Sequence, residues 1–175
     1  MAKMTSAYAN KVLKKLNDDK NYYLNKEEEG QVYVAAIDEE PVIPDYDYGE
    51  VSAKIAQIDD KIRKIKHAIN LSNVNAQIDI FGTKYSVDML LVRMSQLNKR
   101  KAVLDNMRKQ LPKSRVGDYG YYSSRKPTVE YTYVNYDLEQ VRKDYDEVSC
   151  LLFEMQMRLD EHNQTVEFDV DVELE

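Results

Sequence analysis

Two stretches of the chain repeat apolar residues at alternating intervals of three and four, and that pattern leaves few folds open. In the first, Val51, Ile55, Ile58, Ile62, Ile65 and Ile69 follow at spacings of 4, 3, 4, 3 and 4. In the second, Leu138, Val141, Tyr145, Val148, Leu152, Met155 and Leu159 follow at 3, 4, 3, 4, 3 and 4. Such spacing draws one apolar seam down an α-helix, with charged and polar residues between. A helix of this length is marginal alone in water, so each seam needs a partner. Each seam runs for only about three repeats, which favours a bundle over a long coiled coil.

The rest of the chain reads as two less regular helices and several strands. Thr5 or Ser6 caps a first helix running to about Glu28, with Ala9, Val12, Leu13, Leu16, Tyr23 and Leu24 as its stripe. Asp18, Asp19 and Lys20 interrupt that stripe. Gln31 to Ile37 leans towards a strand, and the segment from Glu39 to Gly49, with Pro41 and Pro44, reads as a connection. The Ile-rich helix ends near Asn70–Asn73, because Asn and Ser compete for backbone hydrogen bonds. Val74 to Ile80 suits a short strand and Phe81 to Lys84 a turn. Ser86 caps a third helix that Pro112 stops after Leu111, with Lys101 and Arg108 intruding on its stripe. Lys113 to Pro127 reads as a loop and Thr128 to Asn135 as a strand. After the fourth helix the period changes to two: Val166, Phe168, Val170, Val172 and Leu174 alternate with acids, as in a half-buried strand. The expected fold is mainly α, a four-helix antiparallel bundle of helical hairpins with short strands at one end. It forms one domain over residues 1–175, with 164–175 as an acidic strand or tail. More apolar stripe remains than one small bundle covers, so a homo-oligomer is expected.

Composition narrows the functional classes. With five Gly, four Pro and 43% apolar residues the chain suits long helices. Its one cysteine, Cys150, allows no intrachain disulfide and suits a reducing, cytoplasmic setting; between Val148 and Leu152 it reads as a packed thiol. No signal peptide is read in the first residues, and no apolar run approaches a membrane span. A net charge of −6 speaks against a general DNA, RNA or membrane-surface binder. The charge is uneven, however. From Lys99 to Lys126 nine Lys/Arg face two acids, whereas Asp160 to Glu175 holds seven acids and no Lys or Arg. Either these faces attract each other, within or between subunits, or the basic stretch meets an anionic ligand.

No Walker loop, dinucleotide fingerprint, zinc-protease motif or nucleophile elbow is present, so no enzyme, cofactor or metal is expected. His67 and His162 are too few for a His-based metal site without added carboxylates. Fourteen tyrosines against no Trp and three Phe are the most unusual feature, and six lie between Tyr119 and Tyr136. Tyr131 and Tyr133 suit strand packing. Tyr121 and Tyr122, beside Arg115, Arg125 and Lys126, are placed to stack a base and pair with phosphate. Asn70, Ser72 and Asn73 close the second helix, and Asn163 and Thr165 close the fourth. They read either as helix terminators or as a polar pocket at one bundle end.

The order of these pieces resembles a small bacterial family often labelled septicolysin, over roughly Thr5 to Thr165. The likeness rests on Asn70-Leu71-Ser72-Asn73, where the family has Asn-Arg-Thr-Asn, on Arg93, on Tyr122-Ser123, and on Asn163-Gln164-Thr165, where it has Asn-Trp-Thr. Leu71, Gln164 and the acidic tail depart from it. The resemblance implies a helical oligomer without an established activity. The label suggests a lytic toxin, but no segment is suited to entering a bilayer. The expectation is a non-enzymatic oligomeric binding protein that sequesters a small anionic, nucleotide-like molecule, as some phage-encoded signal-trapping proteins do. The expected ligand contacts are Asn70, Ser72, Asn73, Arg93, Arg115, Tyr121, Tyr122, Arg125, Lys126, Asn163 and Thr165. The alternative is a scaffold whose helices engage partner helices.

Overall fold

The computed structural model describes residues 1–116 and 130–173. Within them the chain is mainly helical, with four α-helices and short antiparallel strands: β1 (Ala2–Thr5), α1 (Ser6–Gly30), α2 (Tyr48–Asn75), β2 (Gln77–Ile80), β3 (Thr83–Ser86), α3 (Val87–Arg108), β4 (Lys113–Arg115), β5 (Tyr131–Tyr133), α4 (Leu138–Thr165) and β6 (Glu167–Val170). The chain divides into two compact units, one of residues 1–78 and 159–175, the other of residues 79–158.

In the first unit, α1 and α2 form an antiparallel hairpin. Thr5 caps α1 by accepting a hydrogen bond from the Tyr8 amide at 3.2 Å, and Asp47 caps α2 by accepting from Glu50 at 2.8 Å. The seam of α2 turns inward as the heptad requires: Val51, Ile58, Ile62 and Ile65 are buried and Ile55 and Ile69 half-buried. Ile58, Ile62 and Ile65 join Met4, Ala9, Leu13, Val170 and Val172 in one core cluster. The tail strand reaches that cluster by pairing antiparallel with β1, Ala2 opposite Val170 and Met4 opposite Phe168. β1 had no reading from the sequence. Its four residues are too few for a periodic signal, and it exists because β6 needs a ladder partner. Lys3 lies opposite Asp169, which places opposite charges across the outer face. The acidic pattern at Asp18 and Asp19 does not break α1, and Lys20 bonds Asp59 of α2 at 2.7 Å.

Several expectations are corrected here. Gln31 to Ile37 forms no strand and is exposed throughout, because strand-prone residues become a strand only with a partner ladder. The connection is instead fixed at its far end: Tyr46 packs on Gly30, where an added Cβ would lie 2.6 Å from the Tyr46 Cβ. The Tyr46 hydroxyl donates to Glu27 at 3.3 Å. α2 continues past Asn73 to Asn75.

In the second unit, β2 turns into β3 through Phe81 and Gly82, both with positive φ (51° and 83°), as a two-residue hairpin turn requires. Ser86 stands at the start of α3, but its hydroxyl bonds the Asp88 carboxylate rather than a helix amide. That bond holds the Asp88 carboxyl below its ordinary range. α3 ends at Arg108, three residues before the expected Leu111, which is 65% exposed. Its inner stripe of Val87, Leu90, Met94, Leu97 and Leu104 is buried. Lys101 and Arg108 interrupt it for a physical reason: both stand over the ring of Tyr145 on α4, Arg108 at 3.9 Å and Lys101 at 5.6 Å. Tyr145 is itself a seam residue of α4. The Tyr136 hydroxyl donates to the Met107 carbonyl at 2.8 Å and holds the approach to α4 against the end of α3. β4 and β5 pair antiparallel where a loop was expected at Lys113–Arg115. Cys150 is exposed, not packed, since it falls between the inward positions of the heptad.

Candidate functional site

The expected ligand residues do not assemble into one described site. Tyr121, Tyr122, Arg125 and Lys126 lie outside the described residues. Arg115 is exposed on β4, and Arg93 is exposed on the outer side of α3, 3.5 Å from Gln96. Lys113 of the same ribbon stands 4.1 Å over Tyr131 and 5.4 Å over Tyr133, so these exposed rings are engaged by a cation of their own hairpin rather than packed in a core.

The two helix ends close through backbone bonds, with one side-chain bond beside them. Ser72 gives its carbonyl to the Ala76 amide at 2.9 Å, and His162 gives its carbonyl to Val166 at 2.9 Å. The Thr165 hydroxyl donates to Glu161 one turn back, at 2.7 Å. Among the described residues, no hydrogen bond joins Asn70, Ser72 or Asn73 to Asn163 or Thr165. Beside them, His162 continues the α4 heptad three residues past Leu159 and is buried. That burial pushes its imidazole below its ordinary pKa.

A different set of side chains converges in the first unit. On α1, Lys15, Asp19, Tyr22, Tyr23 and Lys26 recur at helical spacing beside the apolar stripe. On α2, Glu50, Lys54, Gln57 and Lys61 do the same beside Val51 and Ile58. The antiparallel hairpin brings the two rows together as one groove, formed by adjoining hollows of about 500 and 440 Å³ that share Tyr22, Tyr23, Lys54 and Gln57. These volumes fall within the range of small-molecule sites. Tyr22 and Tyr23 meet edge to face at 5.3 Å, and Tyr22 is 63% exposed, which leaves a ring face open to the groove.

The lining of this groove leans positive, and Lys61 at its edge also borders the neighbouring hollow. Lys15, Lys26, Lys54 and Lys61 line it against Asp19 and Glu50, and none of the four lysines forms an ion pair among the described residues. A neighbouring hollow of about 630 Å³ beside β6 is larger but internally compensated. There Lys64 bonds Asp60 at 3.0 Å, and Asp171 and Glu173 add further negative charge. The hydrogen bond from Lys64 is the main reason the Asp60 carboxyl sits below its ordinary range. Unpaired ammonium groups around an open aromatic ring can hold an anion and stack its planar part.

Sequence reading missed this groove because its two halves lie some thirty residues apart, and in neither half does one sign of charge exceed the other by more than one. The usable signal was an i, i+4, i+7, i+11 row of polar and charged residues beside each apolar stripe, Lys15, Asp19, Tyr22 and Lys26 on α1 and Glu50, Lys54, Gln57 and Lys61 on α2. Among the described residues no group of three or more His, Cys, Asp or Glu side chains is placed to hold a metal ion, and no helix is long and apolar enough to cross a membrane.

No family model and no curated protein matches the chain. A solved structure that it resembles is that of a functionally unknown conserved protein from Corynebacterium diphtheriae. The two share 14% identity at a TM-score of 0.58, over 96% of this chain and 100% of that one. At that identity the likeness shows a shared fold and nothing of function.

Proposed function

We propose that the chain is a non-enzymatic, oligomeric binding protein that takes a small aromatic anion, nucleotide-like in chemistry, in the α1–α2 groove. The supporting observation is the set of four unpaired lysines around the open ring of Tyr22. Lysines at this spacing suit phosphate oxygens, and the tyrosine suits a base. Sequestration of such a molecule needs no catalytic group. The antiparallel bundle expected from the heptads belongs to this proposal and is supported by the α1–α2 hairpin. A common descent with the septicolysin-labelled family is likewise proposed, on the short motifs alone.

A second reading, a scaffold for partner helices, draws on one feature: large apolar side chains on the outer faces of α3 and α4. One experiment separates the two. The purified protein is stripped of any co-purified ultraviolet-absorbing molecule, then heated with AMP, cyclic AMP or ADP-ribose. A ligand that binds only the folded state stabilises it by about 2.7 kcal/mol at 100 times its dissociation constant. A rise in melting temperature with any of these supports the trap. No rise with any of them, and no co-purified absorbing molecule, leaves the scaffold.

A further inference from the structure

The second unit carries an apolar surface that its own fold does not use. On the far side of α3 from the buried stripe stand Met89 and Val92, 58% and 59% exposed, and, beyond the exposed Gln96 and Lys99, Val103, 49% exposed. On α4 the far side presents Phe153 and Met157, 67% and 53% exposed. Exposed apolar side chains that gather on one face mark a contact surface when a complementary surface exists to cover them.

The charges beside the two rows differ in sign. One edge of the α3 row is lined by Arg93 and Arg100, both exposed and two turns apart. The corresponding edge of the α4 row is lined by Glu147, exposed, and Glu154, half-buried, also two turns apart. When two helices pack antiparallel through such rows, like edges meet. Arg93 then falls opposite Glu154 and Arg100 opposite Glu147, with Val92 against Phe153 and Met157. Glu154 already bonds Arg158 at 2.9 Å, one turn away on the same helix. Neither row is suited to its own copy. Two α3 rows would oppose their arginines, and two α4 rows their glutamates.

We infer that the chain self-associates by seating the outer face of α3 of one copy, antiparallel, on the outer face of α4 of another. This specifies the surface behind the oligomeric part of the reading above and does not depend on what the groove binds. The contact is heterologous, so it closes into a ring or extends by repetition.

The test is a charge exchange followed by light scattering at tens of micromolar. One variant carries R93E and R100E, which makes both edges acidic; the other carries E147K and E154K, which makes both basic. The wild type is expected at a multiple of 20.5 kDa. Each variant alone is expected near 20.5 kDa, and their equimolar mixture is expected to reassemble into alternating species of at least twice that mass, because each acidic edge then finds a basic one. Circular dichroism of each variant verifies the fold, and the exposed Phe153→Ser serves as a second, uncharged disruption. A monomeric wild type overturns the inference. So do variants that stay assembled, or a mixture that stays dissociated while the wild type assembles. A failed groove ligand would leave all these outcomes unchanged.

Discussion

In the unit of residues 1–78 and 159–175, the isoleucines of α2 close on Met4, Ala9, Leu13 and the tail strand with no charge among them. In the unit of residues 79–158, the matching stripe of α3 carries Lys101 and Arg108, and the facing position on α4 is a tyrosine. Both arrangements bury a helical seam, but they do so by different means. The first relies on apolar area, which is non-directional and tolerant of detail. The second places cations over one aromatic face and ties the larger of them to Asp105, whose carboxyl is held low chiefly by Lys109 and then Arg108. The outer surfaces differ correspondingly. The first unit exposes an unpaired basic groove, and the second exposes apolar rows edged with charge. The lesson is that one heptad pattern states where a helix is buried, not what its free face does.

The comparison breaks most visibly at Ile65, which is fully buried in the all-apolar seam. Ile65→Ala is expected to cost about 2–5 kcal/mol in urea unfolding, through lost transfer energy and the cavity left behind. A loss below about 0.5 kcal/mol would show that the first unit does not rest on this seam.

A smaller effect is expected in the second unit from Tyr145→Leu. The substitution keeps an apolar seam residue and removes the ring under Arg108 and Lys101, so about 1 kcal/mol is lost. If the leucine instead stabilises the protein, the cations are tolerated there rather than stabilising.

The smallest effect is expected at His162, the one titratable group on the α4 seam within the first unit's described residues. Its folded pKa lies below the ordinary 6.5, so the unfolded state takes up protons first as the pH falls. Stability from the neutral buried ring is present above that ordinary value and is lost as the pH drops through the folded one. The depressed carboxylates Asp60, Asp88 and Asp105 act only at lower pH, since their folded pKa values lie below 3.8. Between pH 7.5 and 5.5 the melting temperature of the wild type should therefore fall more than that of His162→Leu. Equal falls in both would place the imidazole in solvent.

Much of the fold was legible in the sequence. Both heptads and the cap at Thr5 are local patterns, and the structure followed them; in the tail the alternation holds from Phe168 to Val172, with Val166 exposed and Leu174 outside the described residues. β1 and the β4–β5 pairing were not legible, because a four- or three-residue strand is created by its partner and not by its own composition. The strand reading of Gln31 to Ile37 fails for the same reason in reverse. The candidate site was the least legible part. Its lysines belong to two helices whose pairing is tertiary, while Asn70, Ser72 and Asn73, which drew attention as helix ends, lie within α2, and the Thr165 hydroxyl bonds back to Glu161.

The central claim, an anion site in the α1–α2 groove, is tested most directly by calorimetric titration of AMP into the wild type and into a Lys54→Ala/Lys61→Ala variant. Both lysines are on the groove side of α2 and outside the core, so the variant should melt within a few degrees of the wild type. The account predicts binding to the wild type that weakens at least tenfold in the variant and declines with added salt. Equal binding by the two proteins, or none by either while the fold is intact, would contradict it.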